Sequence, residues 1–157
     1  GEDVPASWLD KLAENGRLGQ KTGAGVYRYE EGSRKPLPDP EVDQLITDFR
    51  REQGITPRTI RYQEILERCM YVMINEGARI LEEGIADSPA DIDTVWVYGY
   101  GFPKDRGGPM TWADSIGLKT VLATIARVYE NHGGEQWKPA GLLQKLVAND
   151  QGFSNVR

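Results

Sequence analysis

Residues 57–83, PRTIRYQEILERCMYVMINEGARILEE, decide how this chain is read. Taken as one helix, the stretch runs ~40 Å at ~1.5 Å per residue, long for a soluble domain. Tyr62, Leu66, Cys69, Met73, Gly77 and Ile80 recur at three- and four-residue steps, the spacing of one helix face. In its middle Cys69, Met70, Tyr71, Val72, Met73 and Ile74 are consecutive, so the apolar residues no longer keep to one side. A helix that is apolar all round packs on several sides. The expectation is a central helix with others wrapped about it.

Upstream, Asp39-Pro40 opens a helix through Arg51, with Val42, Leu45, Ile46 and Phe49 on one face. Gln53-Gly54 closes it, and Thr56-Pro57 gives the cap-then-proline start of the central helix. Downstream, Gly84 ends that helix. Ser88-Pro89-Ala90-Asp91 then opens another, with Ser as N-cap, Pro in the first turn and an acid three residues on. It carries Ile92, Val95, Trp96 and Val97 into GYGFPKDRGGP (residues 99–109), whose four glycines and two prolines impose an irregular turn. A short helix from Met110 to Ile116 follows. A longer one runs from Leu118 to Tyr129, and a last from about Pro139 to Ala148. The tail from Asn149 is expected to fray.

At the other end, Pro5 precedes Trp8, Leu9, Leu12 and Ala13, a short amphipathic helix stopped by Asn15-Gly16. GRLGQKTGAGVYRY (residues 16–29) reads as a glycine-rich loop running into a short extended arm. A dinucleotide fingerprint needs a strand before its glycines and a helix after them. Here a helix precedes and an aromatic extended segment follows, so the order excludes it. Residues 30–40, EEGSRKPLPDP, read as a linker.

Composition narrows the function classes. The 157 residues are 39% hydrophobic and 27% charged, as in globular proteins. A net charge of -5 with scattered Lys and Arg argues against a nucleic-acid partner. No apolar run approaches the ~20 residues of a membrane-spanning helix. A single cysteine, Cys69, forms no internal disulfide, and a reducing compartment, the cytoplasm, is the expected home. Cys69 itself reads as a small core residue. The chain opens on Gly1 rather than Met, as expected of a piece of a longer polypeptide, and a processed terminus would look the same.

A search for reaction machinery finds little. The one histidine, His132, stands at a helix end, where the dipole favours it. One histidine and one cysteine cannot make the usual zinc site. Asn75-Glu76 is different, because it falls in the most apolar part of the central helix. A buried carboxylate needs a partner, so Glu76 is expected to bind Arg106 or backbone amides of the loop from Gly99 to Gly108. Trp8, Trp96, Trp112 and Trp137 are expected to pack in the core or at an interface.

Two stretches resemble one family. GRLGQKTGAGVYRY looks like the end of the helical domain of 3-hydroxyacyl-CoA dehydrogenases. MINEGARILEEGIADSPADIDTVWVYGYGFPKDRGGPMTWADSIG (residues 73–117) looks like the second, C-terminal helical repeat of the multifunctional fatty-acid oxidation polypeptide. The order NEG, EEGIA, DID, GFP, RGGP carries the likeness. It implies an all-α bundle around one long central helix, similar to the C-terminal domain of 6-phosphogluconate dehydrogenase, with a short N-terminal extended arm. It also implies a division into residues 1–29 (end of the preceding helical repeat), 30–40 (linker) and 41–157 (C-terminal helical domain). NAD and a catalytic His–Glu pair belong to an upstream domain in that family, so no cofactor is expected here. The family's first helical repeat supplies an active-site Asn eight positions before the central-helix motif. Counting back eight from Asn75 gives Glu67, which lacks the amide donor.

The resemblance therefore implies a non-catalytic copy from an enoyl-CoA hydratase/3-hydroxyacyl-CoA dehydrogenase polypeptide. Its role would be structural, standing in for a partner subunit and inactive alone, with the upstream catalytic domains as its partners. Asn75, Glu76, Gly101, Phe102, Pro103, Arg106, Gly107, Gly108 and Pro109 are its structural or interface candidates. An excised piece would expose apolar surface and self-associate. Two rivals are an independent helical adaptor and a small acid/base enzyme using Glu67 and Glu76.

Overall fold

The computed structural model describes residues 7–156. They fold as two compact units, divided between residues 59 and 60, each with a core of its own.

In the first unit, α1 (Trp8–Glu14) starts at a reciprocal cap: Ser7 Oγ accepts from Asp10 N–H, and the Asp10 carboxylate accepts from Ser7 N–H. Pro5, expected in its first turn, lies outside the described residues. Helix α2 (Pro40–Glu52) starts on Asp39, whose side chain accepts from Glu41 N–H at 3.1 Å. Leu12 and Val42 form the unit's buried apolar centre. Between the helices the chain doubles back through antiparallel bridges Gly19–Ala24, Ala24–Arg28 and Arg28–Leu37. Glycine is required here: Gly19 sits at φ +104°, and a Cβ on Gly25 would stand 2.6 Å from Gly19 Cα. The glycines serve this close backbone approach. Arg17 fastens the loop to the helix entry, donating to Gly25 O at 3.2 Å, to Asp39 and to Glu41.

The second unit is an all-α bundle around α3 (Tyr62–Glu82), with α4 (Pro89–Gly99), α5 (Pro109–Ile116), α6 (Leu118–His132) and α7 (Gly141–Ala148). The central helix is shorter than its sequence suggests. Thr56-Pro57 does not start it; residues 56–61 are exposed and lack regular structure, and Arg61 precedes the first turn with extended angles. Only Ile60 in that run is a large apolar residue, and it is half exposed, so no face rewards an extra turn. The buried stripe is Tyr71, Ile74, Asn75 and Ala78, at i, i+3, i+4 and i+7. Tyr62 is 78% exposed, Ile65 is exposed, and Cys69 lies in the open rather than in the core. Wrapping on several sides is thus a property of the C-terminal half of α3 alone.

Helices α5, α6 and α7 close over that half, burying Ile74, Met110, Val121, Ile125 and Leu143 completely. Gly77 lets α5 come close: a Cβ there would meet Met110 Sδ at 2.6 Å. Trp112 is buried between Tyr71 and Phe102, with ring centroids 6.2 and 6.4 Å away, and Trp96 and Trp137 pack against the same cluster. The segment after α7 does not fray. Phe153 is 1% exposed, and the Asp114 carboxylate accepts from Phe153 N–H at 2.7 Å and Ser154 N–H at 2.9 Å. A long-range anchor overrides the usual looseness of a chain end.

Candidate functional site

Helix α3 turns one polar edge toward the entry of α7. Asn75 is 0% exposed; its amide donates to Gln136 O at 3.0 Å and Lys138 O at 2.9 Å, and its oxygen accepts from Ala140 N–H at 2.9 Å. One turn on, Arg79 donates to Glu135 O at 2.6 Å and Lys138 O at 2.7 Å. A further turn on, Glu82 accepts from Leu142 N–H at 3.4 Å, in the first turn of α7. Residues 135–142 are held by three side chains spaced along one helix face. Helix α7 starts at Gly141, directly after Lys138 and Ala140, whose backbone groups the clamp engages.

The expected Glu76 partnership is corrected by this geometry. The Glu76 side chain is 58% exposed and meets Arg79 at 3.2 Å; Arg106 lies on the α4–α5 loop, where its ion pair is to Asp105 at 3.9 Å. Adjacent helix positions point about 100° apart, so only one of Asn75 and Glu76 can face the core, and the neutral amide does. The buried carboxylate that steadies the loop is Asp93. It accepts from Met110 N–H at 2.7 Å, Thr111 N–H at 3.0 Å and Thr111 Oγ1 at 2.7 Å, capping α5 from α4. A Cβ on Gly108, at φ +110°, would overlap that carboxylate. Pro109 follows in the first turn of α5, Gly101 and Gly107 hold positive φ, and Phe102 is buried beside Pro103. Asp91 was legible in the cap of α4; Asp93, two residues on, was not legible as the cap of the next helix.

Glu67 and Glu76 do not form a two-acid site. Nine residues separate them, ~13 Å along the axis. Glu67 accepts from Gln63 at 3.0 Å and faces Arg127 at 3.9 Å. Burial, with the nearby Glu67 charge, pushes the Tyr71 phenol up. His132 ends α6 and stands 3.0 Å from the Arg68 guanidinium. Beside these, a groove of about 480 Å³ opens between α3 and the α4–α5 loop, lined by Leu66, Met70, Met73, Trp96, Phe102 and Arg106 among others.

The second unit is thus an all-α bundle whose buried Asn75 and Asp93 side chains hold its helices together. Residues 65–152 match the model of the 3-hydroxyacyl-CoA dehydrogenase C-terminal domain. The chain belongs to that family. It is 47% identical over 145 residues to a human peroxisomal bifunctional enzyme, covering 88% of this chain and 20% of that protein. A peroxisomal fatty acid beta-oxidation multifunctional protein of Oryza sativa subsp. japonica is 35% identical over 146 residues, with 90% and 20% covered. The chain thus spans about a fifth of the length of these relatives. Among solved structures, the dehydrogenase part of multifunctional enzyme 1 from C. elegans superposes with a TM-score of 0.68 at 26% identity, covering 91% of this chain and 33% of that one. (S)-3-Hydroxybutyryl-CoA dehydrogenase from Ralstonia eutropha gives 0.52 at 30% identity, with 73% and 40% covered. The peroxisomal names of the relatives overturn the cytoplasmic placement. A lone thiol speaks against disulfide pairing and does not separate one compartment without disulfides from another.

Proposed function

We propose that this chain is the C-terminal helical part of a peroxisomal β-oxidation polypeptide and serves as a scaffold for catalytic units upstream. The parent reaction in this reading is NAD-dependent oxidation of a 3-hydroxyacyl-CoA to the 3-oxoacyl thioester. Residues 1–29 then close a preceding helical repeat, 30–40 link, and 41–157 form the supporting domain. The observation that carries the reading is Asn75: the polar group best placed to act inside the bundle is fully engaged with backbone. The glycine-rich loop does not fit a dinucleotide phosphate either, since Gly19 is bridged to Ala24 and Gly25 is backed onto Gly19. Exposed Ile65, Ile85 and Val95 offer apolar surface for a neighbouring unit.

The test is a turnover assay of the purified chain with NAD and 3-hydroxybutyryl-CoA, expected to show no reduced cofactor. Fusing the chain to a catalytic part of the human relative is expected to raise that part's thermal midpoint. Turnover by the chain alone, or no change on fusion, would overturn the scaffold reading.

A further inference from the structure

We infer that the groove between α3 and the α4–α5 loop binds a single-chain amphiphile with an anionic head, the acyl tail lying along α3 and the head meeting Arg106. Its volume, about 480 Å³, falls in the ~300–1,000 Å³ range of small-molecule sites. The walls are mostly apolar. Leu66, Met70 and Met73 form one side and Trp96, Phe102 and Trp112 the other, with Tyr62 and Tyr100 at the rim. Unbranched methionines adapt to a flexible tail better than branched residues do.

Charge selects the head. In a chain with a net charge of -5, not one lining residue of this groove is acidic, and Arg106 is its sole cation. The Arg106 side chain is exposed, and its ion pair with Asp105 is long at 3.9 Å. A guanidinium so placed can take a carboxylate or phosphate through two parallel hydrogen bonds. Tyr100, 73% exposed with its ring 5.0 Å from Trp96, stands at the same opening with a hydroxyl to donate. An apolar trough with a cationic lip fits a fatty acid or an alkyl phosphate; a neutral or cationic amphiphile lacks the head contact.

The groove carries its own reporters in Trp96 and Trp112. Dodecanoate and dodecyl phosphate, each titrated below its aggregation threshold, are expected to give a saturable change in tryptophan fluorescence; the stronger of the two identifies the head. Tail length gives a second readout. From octanoate to dodecanoate each added methylene is expected to tighten binding by up to about fourfold, the equivalent of ~0.8 kcal/mol per buried CH₂, with the gain ending once the groove is full. Arg106→Glu, an exposed change, is expected to weaken dodecanoate at least tenfold and to abolish its advantage over dodecyltrimethylammonium. Met70→Phe, which fills the trough, is expected to shorten the longest tail accepted. The proposal is overturned if neither anion gives a saturable change, if the cationic amphiphile binds the parent chain equally well, or if Arg106→Glu leaves affinity unchanged. It is likewise overturned if a leucine-rich amphipathic peptide occupies the groove while dodecanoate does not, which would make the groove a protein seat.

Discussion

At the residue scale, Asn75 and Glu76 show how much turns on one helical step. Asn75→Leu removes a donor pair and an acceptor from a fully buried side chain, leaving Gln136 O and Ala140 N–H to find new partners while Lys138 O keeps Arg79. Each unsatisfied buried group costs about 1–3 kcal/mol, so a loss of about 2 kcal/mol or more is expected in urea denaturation. Glu76→Gln touches only an exposed i,i+3 pair with Arg79 and is expected to change stability by less than ~0.5 kcal/mol. Equal effects of the two changes would contradict the assignment of roles. The sequence marked this pair because two polar residues interrupt an apolar run. It could not say which one turns inward, because that depends on the direction from which α7 arrives.

Asp39 carries a second residue-scale prediction. The hydrogen bond from Arg17 holds its carboxyl below the ordinary value of 3.8, helped by the Glu41 N–H and the charges of Arg17 and Arg28, and opposed by burial. A carboxyl lowered in the folded state contributes stability fully above its unfolded value and loses it as pH falls through the folded value. The α2 entry is therefore expected to hold at neutral pH and to loosen only in acid, below the ordinary carboxylate range. Arg17→Met should move Asp39 titration upward, as read by NMR of the side-chain carboxyl carbon. An unmoved titration would show that Arg17 is not the cause.

At the scale of elements, local signals held only where a packed face backed them, and long-range contacts left no local trace. Ser88-Pro89 starts α4 because a cap and a first-turn proline act within four residues, and Ser88 Oγ does accept from Asp91 N–H. Thr56-Pro57 has the same local form yet opens nothing, since no core lies opposite residues 57–61. The end of the chain fails in the other direction. Residues 149–156 look like a polar tail, yet Asp114, some forty positions earlier, caps the turn that drives Phe153 into the core. Phe153→Ala is accordingly expected to cost about 3–5 kcal/mol, as for a buried aromatic, with a matching fall in the thermal midpoint. Asp114→Ala is expected to release the same segment with a smaller loss. A Phe153→Ala protein as stable as the parent would mean that the tail only rests on the surface.

At the scale of the whole molecule, two cores and one exposed connection set the behaviour. The buried cluster of the second unit runs from Tyr71 to Phe153, and its membership includes no described residue before Ile60. The family match, residues 65–152, falls within that unit. Residues 54–61 are exposed and carry no regular structure, and such stretches are where proteases cut folded chains. Arg58 and Arg61 place tryptic bonds in it. Brief trypsin treatment is expected to release a resistant fragment of the second unit. That fragment should keep its helical circular dichroism and a cooperative thermal transition, because every side chain of its core and its α7 clamp travels with it. Among its described residues the first unit has only Leu12 and Val42 as its buried apolar centre, with the Arg17 network around them, and should be digested sooner. If the released fragment unfolded, or if cutting began inside α3 to α7, the two cores would not be energetically separate and the helical domain would depend on the arm before it.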